Sequence, residues 1–104
     1  MSTNRDFLSQ KRHNFVTFIK DAVAKRKKDV RYNKFIDKIS TFESISMDLF
    51  VAAIVEQMVP YSKDPMAFVT KILHENELTT ADLTIEELNK VQLYVECFIS
   101  VVST

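Results

Sequence analysis

Apolar residues recur at helical spacing in five stretches of this chain, and the densest stretch is residues 49–59. Nine of its eleven residues are apolar, and Glu56 and Gln57 are the two that are not. At 100° per residue the large side chains spread round most of a helix, which predicts a segment buried inside a bundle. The run is too short to cross a bilayer, which takes about 20 such residues. Ser46 is placed to cap it and Asp48 falls in its first turn. Pro60 is the expected stop, because proline donates nothing to the helix ladder.

Four amphipathic segments flank this one. Residues 6–27 predict a first helix, with Thr3 or Asn4 as its cap and Leu8, Phe15, Phe18, Ile19, Ala22 and Val23 as its apolar stripe. Asp29 can cap a second helix over residues 30–42, whose face is Tyr32, Phe35, Ile36, Ile39 and Phe42. Asp64-Pro65 is an aspartate cap followed by proline at the first helical position, and Asn76 is the expected end of that fourth helix. Thr84-Ile85-Glu86-Glu87 is a capping box that opens a fifth helix running to about Val102. The β-branched run from 98 to 102 keeps a strand-like ending open.

The predicted fold class is therefore all-α: a compact single-domain bundle of about five helices, over residues 1–104, around a buried central helix at 49–59. The expected core is Phe15, Phe18, Ile19, Phe35, Ile36, Ile39, Phe42, Ile54, Val55, Met58, Phe68, Val69, Ile72, Leu88, Val95 and Phe98.

Composition removes several alternatives. Glycine is absent. Tight hairpins depend on glycine, and so do the P-loop, the GxGxxG dinucleotide turn and the G-x-S-x-G nucleophile elbow. Cys97 is the lone cysteine, so no disulfide closes within the chain. With no secretory apolar region at its start and no N-x-[ST] sequon, a soluble protein of a reducing intracellular setting is expected, in cytoplasm, nucleus or virion alike.

Net charge is zero but unevenly spread. Residues 1–40 carry eleven Lys/Arg against four Asp/Glu, or +7, and residues 41–104 carry three against ten, or −7. The halves either complement each other, within one fold or between subunits, or present a charged surface to a partner. Lys25, Arg26, Lys27 and Lys28, with Arg31, Lys34 and Lys38, form a candidate basic ridge for nucleic-acid phosphates. The same lysine-arginine run also suits a helix C-terminus, whose dipole favours cations. Against a nucleic-acid role stand the neutral whole and the isoelectric point near 6.7.

Candidate chemistry is sparse. His13 and His74 are far apart, and His74-Glu75-Asn76-Glu77 lacks the paired histidines of a zinc helix. Glu86 and Glu87 are adjacent and point about 100° apart on a helix. Cys97 has nothing basic within a helical turn and reads as a structural cysteine. No catalytic, metal or cofactor residue is assigned, and no enzyme, small-molecule substrate or membrane partner is expected.

The fifth helix carries a second apolar side, Leu93, Tyr94, Cys97 and Val101, nearly opposite its main stripe. Such a helix is either sandwiched in the bundle or open to a partner, which makes those four residues the candidate protein interface.

Tyr32-Asn33-Lys34-Phe35-Ile36-Asp37, followed by Phe42, Ser44 and Met47-Asp48, resembles the start of a paired amphipathic helix domain of transcriptional corepressors. The likeness covers about residues 15–73. It implies a four-helix bundle holding an amphipathic partner helix in a groove. The chain departs from that family in its closing motif, since residues 68–73 read FVTKIL, in its missing glycines and in its fifth helix.

The functional expectation is a non-enzymatic interaction or assembly protein, docking through apolar helix faces and charge complementarity to itself or to a larger complex. A small structural subunit of a particle, a viral one included, fits that expectation. The alternatives are a nucleic-acid binder and an adaptor for a partner helix.

Overall fold

Phe50, Ile54 and Met58 stand four residues apart, and all three are buried. That row fixes how the central segment sits. In the computed structural model, which describes residues 2–25 and 30–103, the fold is all-α. Five helices, α1 (Ser2–Ala24), α2 (Val30–Ser44), α3 (Met47–Ala53), α4 (Pro65–Glu75) and α5 (Ile85–Ser103), form a bundle, with the central segment packed against the others. α5 is flanked by α1, by α4 and by the turn that follows α3. The C-terminal stretch is helical to Ser103, with no strand.

Local chemistry sets most helix starts. The Ser46 hydroxyl accepts from Leu49 N–H at 3.2 Å, and Asp48 lies in the first turn of α3. Asp64 accepts from Ala67 N–H at 3.3 Å, ahead of Pro65 at the first position of α4. Thr84 and Glu87 exchange bonds of 2.8 and 3.1 Å as a capping box. α1 differs from expectation by starting at Ser2, which puts Thr3 and Asn4 inside it. Asp29, expected to cap α2, lies outside the described residues.

The central segment departs from a plain helix. α-helical bonding stops at Ala53, well before Pro60. Residues Ile54–Met58 form one π turn, in which Val59 N–H reaches back five residues to the Ile54 carbonyl. Val59–Tyr61 then forms a 3-10 turn with Pro60 inside it. A proline ring clashes with the carbonyl four residues earlier in an α-helix, here that of Glu56. The wide turn relieves that crowding, so Pro60 reshapes the helix before it ends it.

All-round burial of this segment is not observed. Leu49 is 61% exposed and Val55 49% exposed, so Val55 leaves the expected core. Phe42 of α2, Arg12 of α1 and Phe98 of α5 all meet the Phe50 side of α3, which leaves Leu49 and Val55 facing outward. The core instead takes in Phe50, Val16, Val23 and Leu78, each almost fully buried. Its centre is a chain of edge-to-face rings: Phe15 on Phe98 at 5.5 Å, Phe98 on Phe50 at 5.3 Å and Phe50 on Phe42 at 5.0 Å. The Arg12 guanidinium lies 4.9 Å over the Phe50 ring and donates to the Ile45 carbonyl at 2.9 Å, which ties α1 to the α2–α3 junction.

The oppositely charged halves meet within the chain. Each described ion pair joins them: Arg5 with Asp48 at 2.7 Å, His13 with Glu43 at 3.0 Å, Lys20 with Glu43 at 4.0 Å and Arg31 with Asp82 at 3.3 Å. The exposed pairs add little stability each.

α4 ends in a Schellman motif without glycine. Leu78 N–H bonds the Leu73 carbonyl at 2.8 Å and Glu77 N–H bonds the His74 carbonyl at 3.0 Å. Asn76 is the cap residue, and its side-chain amide donates to the Ile72 carbonyl at 2.8 Å. The left-handed position falls one residue later than expected, on Glu77 at φ 63°. A side chain with a Cβ is disfavoured there by roughly 1–2 kcal/mol, part of which glycine returns in unfolded-state entropy. Glu77→Gly is therefore expected to raise stability by about 0.5–1 kcal/mol in urea melts.

Candidate docking groove

An apolar concavity lies between α2 and the α3–α4 region. Its volume is about 540 Å³, within the range of binding clefts. One wall is α2 and its exit, where Ile39, Phe42 and Ile45 recur every three residues. The facing wall is Ala53, Gln57 and Met58, from the end of α3 and the π turn. Buried Phe15 and Phe68 and half-buried Ile72 complete the apolar lining. Asp37, Lys38 and Thr41 form the rim.

Ala53 brings little side-chain bulk to the lining, and Gln57 and Met58 of the π turn complete that side. Wide turns of this kind recur at functional sites. A bed of aliphatic and aromatic groups under a polar rim can take an apolar surface and orient it by its edges. The charged side chains in its lining are Asp37 and Lys38, adjacent on α2.

Two other hollows are present. An apolar cavity of about 50 Å³ inside the core, bordered by Phe18, Ala22, Leu83 and Val91, is too small for a ligand of any size. A polar hollow beside α1 is lined by Asp6, Ser9, Gln10, Arg12, His13 and Glu43. Among the described residues, no three His, Cys, Asp or Glu side chains gather as a metal site would require.

The expected interface on α5 is split by the packing. Leu93 is 64% exposed, while Cys97 and Val101 are half-buried. Tyr94 turns inward, its ring 5.4 Å from Phe15 and 6.3 Å from Phe18. The expected basic ridge is also divided. Arg26, Lys27 and Lys28 lie outside the described residues, while Lys25, Lys34 and Lys38 are exposed. Arg31 is half-buried and donates to Asp82 at 3.3 Å and to the Glu77 carbonyl at 3.2 Å.

Asp82 lies outside the candidate site residues expected from the sequence. It closes a second capping box, accepting from Thr79 N–H at 2.8 Å, while the Thr79 hydroxyl accepts from Ala81 N–H at 3.2 Å. The Tyr32 hydroxyl donates to the Asp82 carbonyl at 3.1 Å. The Thr79 N–H bond is the largest influence on the Asp82 carboxyl and, with the lesser help of the Arg31 charge and the Tyr32 hydroxyl, holds it below the usual range against the opposing effect of desolvation. The T-x-x-D spacing at 79–82 was the available signal.

No family model matches the chain, and no curated protein or solved structure matches it. The likeness to a paired amphipathic helix domain rests on the quoted residues alone. No helix among the described residues is long and apolar enough to cross a membrane.

Proposed function

We propose that this chain is a protein-interaction module that takes an amphipathic helix into the groove between α2 and the α3–α4 region. The observation that carries this reading is the groove itself, about 540 Å³ of mainly apolar space with a polar rim. Helix-in-groove recognition uses such a bed, read by apolar residues at i, i+3 or i+4, and i+7. Ile39, Phe42 and Ile45 on one wall offer such anchors an apolar row. The role is binding or assembly rather than catalysis, consistent with a lining that offers only Asp37 and Lys38 as charges.

The test is selection from a library of helical peptides on the intact chain. Enriched peptides should share the apolar repeat. Their affinity should fall at least about tenfold, or 1.4 kcal/mol, with Thr41→Trp, which fills the rim, or Ile45→Glu, which puts a charge in the bed. Thermal melts of both variants check that the fold survives. Enrichment of peptides that bind both variants as well as the parent would overturn the reading.

A further inference from the structure

Resting on that reading, we infer that Gln57 sets the specificity of the groove: the partner helix must carry one amide or hydroxyl side chain within its apolar stripe, where it meets Gln57. The place of Gln57 follows from the π turn. Gln57 is seven residues after Phe50 and Met58 is eight. In a plain α-helix Gln57 would stand within about 20° of Phe50, on the core side, and Met58 about 80° away. The structure has the reverse. Gln57 is exposed and lines the groove, while Met58 is 3% exposed on the Phe50 row. The turn over Ile54–Met58 closes five residues back rather than four. Each of its residues therefore advances less round the axis, which brings Met58 into the core and leaves Gln57 on the wall with Ala53.

The Gln57 amide is an uncommitted group in a mainly apolar lining. Asp37 and Lys38 are exposed charges on the rim, and the Thr41 hydroxyl already donates to the Asp37 carbonyl at 3.1 Å. Among the described residues the Gln57 side chain has no hydrogen-bond partner, so in the free chain its amide is open to water. A helix laid in the groove displaces that water. An amide covered without a partner lowers affinity by about tenfold. A side chain that both donates and accepts keeps the amide paired. An unbroken apolar stripe leaves it unpaired and is discriminated against, which is selection by an unmet polar group.

The test is the helical-peptide selection run in parallel on the parent chain and on Gln57→Met, a swap of similar size at an exposed position. Peptides selected on the parent should share one Asn, Gln, Ser or Thr at a fixed place in the stripe. Gln57→Met should select unbroken stripes. By titration calorimetry, the best parent-selected peptide should bind Gln57→Met about tenfold more weakly than it binds the parent. Its analogue with leucine at the polar place should recover that loss on Gln57→Met and not on the parent, a coupling that a purely structural role for Gln57 would not produce. Parent-selected stripes with no polar place, or a polar place kept unchanged on Gln57→Met, overturn the inference. If those peptides still weaken with Ile45→Glu, the groove reading stands without it. If none is enriched, or none responds to Ile45→Glu, both fall.

Discussion

Phe50→Ala should cost about 3–5 kcal/mol of stability, the range for truncating a buried phenylalanine. The side chain is fully buried, and its ring touches Phe42, Phe98 and the Arg12 guanidinium. Removing it leaves a void that three partners border and none can fill without shifting a helix. A domain of this size has about 5–15 kcal/mol in all, so a fall in melting temperature of about 15 °C or more is expected. The α3 segment should loosen first, because Phe50, Ile54 and Met58 are its buried row. A loss under about 1 kcal/mol, far below the usual cost of such a truncation, would show that the ring chain is not the centre of the core.

Asp82→Ala should cost about 2–3 kcal/mol, combining a lost cap with lost charge-assisted bonds. One carboxylate closes the Thr79 capping box and holds Arg31, and through them pins the α4–α5 connection to α2. Its side chain is 19% exposed, so water replaces these bonds poorly. The substitution should also change the response to acid. The folded carboxyl titrates below its unfolded value, which is about 3.9 for an aspartate. Its contribution is therefore fully present above that unfolded value and is lost as pH falls through the folded one. The parent should lose stability along that limb, and Asp82→Ala should lose less there. Urea midpoints measured from neutral pH downward decide this, and parallel curves would contradict it.

The sequence carries the parts of this fold that are settled locally. Ser46, Asp64-Pro65 and the Thr84–Glu87 box each mark a helix start, because a cap bonds to backbone within one turn. Asp82 obeys the same rule. The facing of α3 is a different kind of fact. In an almost wholly apolar helix, periodicity does not choose between the Phe50 row and the Leu49 and Val55 positions; the neighbouring helices choose. The π turn arises from Pro60 acting on preceding residues, and its hydrogen bonds have no residue signature. The groove is further from view still. Ile39, Phe42, Phe68 and Ile72 read correctly as inward-facing, but a gap between two helices depends on how closely they approach. Tyr94 and Val101 read as a second apolar side of α5, and the packing turns them toward the core because three elements flank that helix.

The most direct test of the groove is chemical-shift mapping on the isotope-labelled chain, titrated with the tightest selected helical peptide and, separately, with a random nucleic-acid duplex. The peptide should move the amide signals of Thr41, Ile45, Ala53, Gln57 and Ile72, all in the groove lining, and the duplex should leave them in place. Peptide shifts gathered round Leu93 on α5, or duplex shifts along Lys34 and Lys38 with none from the peptide, would contradict it.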